Sequence, residues 1–320
     1  MKGREDMKRR DFLTSMALTA VTAAAQTLPA RAQAVQKRTT RLKQSVNAFC
    51  FGGTVTPMGN GVPIGNLKIE FANNRSLEDT IRIAKEIGFQ GYDMLRPDQW
   101  PLAKKYGIIP SMYPFGTIGS PDKGINRKEI HDELEKITRS VLKECGANGV
   151  PTAIAMIGMR SADLNDQQGA DNTVEFLNRV KAQAEESGVT ICMELLNSKI
   201  KSPSEGHPGY MFDRTQWGIE VCKRVNSPRV KILYDIYHAQ VDEGDVVRTM
   251  RDNIQWIGHI HTAGNPGRHQ LDDDQELNWR FIARALADLN YTGFVGHEYF
   301  VSRGADPVAC LKQAFEIFNI

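Results

Sequence analysis

The sequence predicts one α/β domain, a (β/α)8 TIM barrel preceded by a cleavable signal segment. Three observations predict it. Strand-like and helix-like runs alternate eight times from residue 44 to the end of the 320-residue chain. Helix-to-strand connections are short, whereas strand-to-helix connections are long, at 51–76, 114–126, 195–213 and 262–277. Four residues able to bind a cation, Glu194, Asp235, His261 and Glu298, close four successive strand runs. A (β/α)8 barrel needs about 250 residues and gathers its chemistry on the carboxyl face, where the long loops fall.

The elements follow in order. Residues 1–34 read as a twin-arginine signal peptide: Lys8-Arg9-Arg10-Asp11-Phe12-Leu13, a mild apolar stretch from Met16 to Leu28, then Ala32-x-Ala34 as a cleavage site. The apolar stretch is too short and weak for a stable membrane span. The expected location is periplasmic. A basic linker, 35–43, leads to the barrel, 44–320. Strands are expected at 44–50, 89–95, 107–113, 151–157, 189–194, 230–235, 256–261 and 293–298. Helices are expected at 77–88, 98–106, 127–145, 171–187, 214–225, 243–252, 278–290 and 306–318. Strands that alternate with helices form a parallel sheet.

Local signals support these bounds. Ser76, with Asp79 three residues on, makes a weaker relative of a capping box. Gly88, Gly107, Gly146 and Gly188 stand where helices end in a left-handed cap. The five cysteines form no CxxC pair and no disulfide framework, and read mostly as buried core thiols.

Of 40 basic and 38 acidic residues, six and three lie in the first 34, which leaves a near-neutral remainder of 34 and 35. Nothing in this balance points to nucleic acid. GxSxG, a P-loop and a GxGxxG opening a helix after a strand are all absent, so serine hydrolysis and hydride transfer have no support.

Glu194 and Glu298 form a carboxylate pair able to move a proton between adjacent carbons. Coordination to a cation lowers the cost of keeping both ionised. Asp235 lies at a strand end, and His238, three residues on, can turn back over the same pocket. His259 and His261 share one strand face. His261 is the expected ligand and His259 the deeper residue that packs or orients it. Arg268, in Gly264-Asn265-Pro266-Gly267-Arg268-His269, is either a clamp for substrate oxygens or a solvent-facing loop cation. His207 fits a surface loop better than the pocket. His297 is expected to point away from Glu298.

Several segments resemble the xylose isomerase-like superfamily of sugar isomerases and epimerases, its hydroxypyruvate isomerase-like branch above all. They are Met193-Glu194-Leu195-Leu196-Asn197, Leu233 to Gln240, Glu243-Gly244-Asp245, Ile257 to His261, Asn265-Pro266-Gly267-Arg268 and Gly296-His297-Glu298-Tyr299. The resemblance implies a divalent metal ion (Mg2+, Mn2+ or Co2+) on Glu194, Asp235, His261 and Glu298. It implies Glu194 and Glu298 as the acid/base pair, and His238 and Arg268 as groups that hold substrate oxygens. The implied reaction moves a proton next to a carbonyl of a small hydroxy-carbonyl or sugar substrate through a metal-stabilised enediolate. Homodimers are frequent in the family. Hydroxypyruvate isomerases commonly carry Gln where this chain has His261, which is more similar to the ketose 3-epimerases. Those epimerases carry a substrate-binding Glu near the place of Ile200. A ketose 3-epimerase or other sugar isomerase, and an exported non-catalytic carbohydrate-binding barrel, are the alternatives.

Overall fold

A computed structural model describes residues 41–57, 67–202 and 204–320. The expected signal peptide at 1–34 and most of the linker lie outside the described residues. The chain enters at β1 (Lys43–Val46), followed by an antiparallel pair, β2 (Gly53–Pro57) and β3 (Leu67–Phe71). Then come α1 (Leu77–Ile87), β4 (Gly91–Asp93), α2 (Trp100–Lys105), β5 (Ile109–Ile118), α3 (His131–Asn148), β6 (Thr152–Ala155) and α4 (Asp166–Ser187). The second half holds β7 (Thr190–Glu194), α5 (Thr215–Val225), β8 (Val230–Asp235), α6 (Ile236–Asp242) and α7 (Val246–Asn253). It ends with β9 (Ile257–Thr262), α8 (Trp279–Asp288), β10 (Phe294–His297) and α9 (Pro307–Phe318). Strands β1 and β4 to β10 pair in parallel, and β1 closes the barrel by pairing with both β10 and β4.

Strands covered on both faces have little need for polar alternation. All five residues of β7 and all four of β10 are buried. The helices supply the outer cover through apolar stripes: Thr173, Phe176, Leu177, Val180 and Ala184 line one side of α4 at helical spacing. Short turns return each helix to its strand. At Gly88 and Gly188 the backbone is left-handed, with φ of 119° and 68°, which glycine adopts without strain.

The structure departs from the sequence reading at several places; β5 runs to Ile118, into the connection expected at 114–126, and α4 starts at Asp166 rather than 171. The connection at 51–76 contains the β2–β3 pair. β1 stops at Val46 because Asn47 caps a short 3-10 turn, its side chain accepting from the Phe49 amide. α6 begins directly after β8, capped by Asp235, which moves the next helix to Val246. α3 runs through Gly146 and ends at Gly149, the residue with positive φ (71°). A Cβ at Gly146 would lie 2.7 Å from the Ser187 carbonyl oxygen, so this glycine permits close approach of chain rather than a helix stop. The Ser76–Asp79 capping box is complete, with both reciprocal bonds present. All five cysteines are free and buried.

Candidate active site

Glu194 and Asp235 are the last residues of β7 and β8, His261 is the penultimate residue of β9, and Glu298 follows β10. Barrel register sets Asp235 level with His261, and His261 level with Gly296. One ligating atom from each of Glu194, Asp235, His261 and Glu298 lies within 4.8 Å of the others, and all four residues are buried.

Each side chain is fixed by local structure. Asp235 Oδ1 caps α6, accepting from the amides of Tyr237 (2.8 Å) and His238 (3.2 Å). Its Oδ2 is buried and has no hydrogen-bond partner. Glu298 accepts from Asn47 Nδ2 (3.2 Å) and Arg268 Nη2 (2.7 Å). His261 Nδ1 lies 3.3 Å from Glu298 Oε2 and 3.9 Å from Glu194 Oε1.

The first turn of α6 carries His238 back over Asp235, with Nε2 3.8 Å from Asp235 Oδ2. His238 Nδ1 is approached by two donors of Asn197, its amide at 3.1 Å and its side-chain nitrogen at 2.6 Å. Nδ1 therefore carries the lone pair and Nε2 the proton. That Nε2–H is buried without a partner. Burial, then the nearby Arg268 charge, holds the ring well below the usual histidine range, so it is neutral.

Arg268 is only 8% exposed, which removes the reading as a solvent-facing cation. It sits in the left-handed region at φ 51°, donates to the Ser204 carbonyl at 3.1 Å and lies 3.7 Å from Asp235 Oδ2. Non-glycine residues held there are commonly over-determined by their surroundings. His207 is half-buried on the loop after β7, its ring centroid 6.2 Å from that of His238, so this loop histidine stands closer to the site than the sequence reading placed it. His297 faces away as expected, bonding Thr262 Oγ1 (2.8 Å) and Gln44 Oε1 (3.1 Å).

Electrostatics favour a cation among these groups. Burial, then the charge of Glu298, pushes Glu194 well above the usual carboxylate range, and burial also raises Asp235. Burial acts the same way on Glu298, but His261 and Arg268 outweigh it and hold Glu298 low. A divalent ion would offset the mutual repulsion of three buried carboxylates. Asp235 Oδ2 and His261 Nδ1 are buried without partners, and atoms in that position are rare in native proteins. A donor set of three carboxylates and one imidazole suits a divalent cation. A separate cavity of about 420 Å³ lies at the amino ends of the strands, lined by Lys43, Thr190, Lys231 and Phe294, and holds none of the four.

Sequence reasoning passed over Asn47, which bonds Glu298, and Asn197, which fixes the His238 tautomer. It also passed over Asp93, the last residue of β4, where the strand-end logic used for the other carboxylates applies.

The 2-oxo-tetronate isomerase of Cupriavidus necator is 33% identical over 158 residues, which is 49% of this chain and 58% of that relative. The hydroxypyruvate isomerase of Escherichia coli is 24% identical over 228 residues, covering 68% of this chain and 84% of that enzyme. The crystal structure of an AP endonuclease, family 2, from Brucella melitensis shares the fold, with a TM-score of 0.68 at 22% identity, over 87% of this chain and all of that one. Residues 81–319 match the family model for the xylose isomerase-like TIM barrel, and with its closed parallel barrel the chain belongs to that family.

Proposed function

We propose that the protein is a divalent-metal-dependent isomerase of short hydroxy-carbonyl acids, of the hydroxypyruvate or 2-oxo-tetronate class. The observation that carries the reading is the convergence of Glu194, Asp235, His261 and Glu298 within 4.8 Å, beside donors of His238 and Arg268 that have no partner. The names of the relatives supply the substrate class.

Glu194, Asp235, His261 and Glu298 would hold the ion, which would supply Lewis-acid polarisation of a carbonyl and lower the cost of the developing oxyanion. His238 Nε2–H donates to a substrate oxygen. Arg268 Nε, buried and without a partner, is a second donor for a carboxylate or hydroxyl. Glu194 and Glu298 act as the acid/base pair. One removes a proton from the carbon next to the carbonyl; the C–H electrons form the C=C bond of an enediolate while the C=O π pair moves onto the carbonyl oxygen. Return of the proton to the neighbouring carbon, with transfer of the hydroxyl proton between the two oxygens, completes the isomerisation.

A panel of hydroxypyruvate, 2-oxo-tetronate and ketoses in deuterated water, scored by deuterium at each carbon, tests the reading. Metal-dependent exchange at the carbon beside the carbonyl of the short acids, lost in Glu298→Gln, is expected. No exchange with any short acid would overturn it. A second reading, ketose 3-epimerase, is favoured by the imidazole of His261 in the ligand set, and exchange at C3 of a ketose would identify it. Binding without exchange across the panel would identify a non-catalytic barrel.

The segment 1–34 supports export to the periplasm by the twin-arginine route. Lysine at both Arg9 and Arg10 is expected to leave the protein in the cytoplasmic fraction; unchanged periplasmic recovery would refute the route.

A further inference from the structure

We infer that Asp93 is the positioning residue for His261. Its carboxylate holds the Nε2 edge of the ring from below, so that Nδ1 is the edge turned to Glu194, Asp235 and Glu298. The inference deepens the proposed cation site and rests on it.

Asp93, the last residue of β4, is buried against His259 and His261. Its Oδ2 accepts from Ser45 Oγ at 2.9 Å and contacts His259 Nε2 at 3.1 Å. His261 Nε2 lies 3.4 Å from the same oxygen, a long approach without full hydrogen-bond alignment. Asp93 Oδ1 accepts from Ser111 Oγ. An ionised carboxylate has about four acceptor positions, and four donors from β1, β5 and β9 surround this one.

Two strand irregularities deliver these groups. The β4–β5 register runs Tyr92 to Pro110, then Asp93 to Met112, which leaves Ser111 as an extra residue facing Asp93. The β8–β9 register runs Ile232 to Ile257, then Leu233 to His259, which leaves Gly258 as the extra residue. Bulges re-aim side chains beside functional sites. Gly296 supplies the room: a Cβ there would lie 2.2 Å from Asp93 Oδ2 and 2.9 Å from His261 Cδ2.

Asp93, His259 and His261 also form a cluster of metal-ligating type. A neutral imidazole offers one lone-pair nitrogen. His261 gives Nδ1 to the upper cluster, so the lower cluster is read as a carboxylate–histidine support rather than a second ion site.

The test uses the full chain, wild type and Asp93→Asn, with Mg2+ and Mn2+ titrated by calorimetry. Nitrogen-15 NMR of the His261 Nε2–H is recorded with Mg2+ and without it. One ion per chain is expected, bound about 10- to 100-fold more weakly by Asp93→Asn. The Nε2–H resonance should shift in the variant while unfolding stays cooperative. Unchanged affinity together with an unchanged resonance would overturn the inference. Two ions in the wild type, one of them lost in the variant, would overturn it in favour of a second metal site. A wild type that binds neither ion defeats the cation reading itself, and the metal-free Nε2–H signal still decides the positioning claim. If Asp93→Asn does not fold, Ser45→Ala removes one donor and keeps the charge. It should weaken binding several-fold and shift the same resonance, and no shift would overturn the inference.

Discussion

Arg268 Nη2 lies 2.7 Å from Glu298 Oε2, so a buried guanidinium from the loop after β9 holds the carboxylate that follows β10. The contact joins the proposed substrate clamp to half of the proposed acid/base pair. Removing the guanidinium releases Glu298 and deletes the donor Nε together. Arg268→Ala should lower kcat/KM by about 10²- to 10³-fold, as loss of a preorganised donor does elsewhere. Arg268→Lys keeps the charge but lacks the planar fork. Steady-state kinetics should place it between wild type and alanine; full activity in the lysine variant would contradict a geometric role.

His238 uses its two nitrogens differently, Nδ1 towards Asn197 and Nε2–H towards the site. Gln places an amide nitrogen near the Nε2 position, whereas Asn places its amide near Nδ1. His238→Asn should therefore keep the contact with Asn197 and lose the donor to substrate, with kcat/KM reduced by roughly 10- to 100-fold for a bond to a charged group. His238→Gln should retain more activity and less thermal stability. The reverse order of activities would refute the tautomer assignment.

His207 gives stability a pH dependence. Burial, then the charge of Arg268, lowers its pKa from 6.5 to about 4. Between those values the unfolded chain takes up a proton that the folded chain does not. The folded state is therefore unpenalised above pH 6.5 and loses stability as pH falls towards 4. The loss is on the order of 1–2 kcal/mol between pH 7 and 5. Urea titrations should show this slope in the wild type and a flatter one in His207→Phe. Equal slopes would mean that His207 titrates normally.

Gly296 is predicted to be intolerant of a methyl group. An added Cβ would meet Asp93, His261 and His259 at 3.0 Å or less, in a packed interior with no flexible side chain to yield. Gly296→Ala should lose about 1–3 kcal/mol of stability and bind Mn2+ more weakly. Calorimetric melting and metal titration check both, and a wild-type melting temperature would show that the layer can relax.

The barrel and its four-residue cluster were legible because strand-end carboxylates and histidines follow directly from the βα rhythm. Arg268 stayed ambiguous because burial of a loop arginine is a tertiary fact. α6 was missed because its seven residues, Ile236–Asp242, are too few to show a clear helical period, and Asp235 doubles as ligand candidate and helix cap. Gly146 misled because a glycine chosen for close packing against Ser187 has the same letter as one chosen for positive φ. Asp93 was passed over because its partners, Ser45, Ser111 and His259, come from three other strands whose registers no local pattern encodes.

The extra residues Ser111 and Gly258 also bear on engineering. Grafting the loops after β7 to β10 onto a regular barrel would carry over Arg268 and His238 but leave the floor of the site behind. The transferable unit is the loops together with two irregular strands, and deleting Ser111 alone should remove the β5 hydroxyl that bonds Asp93 Oδ1.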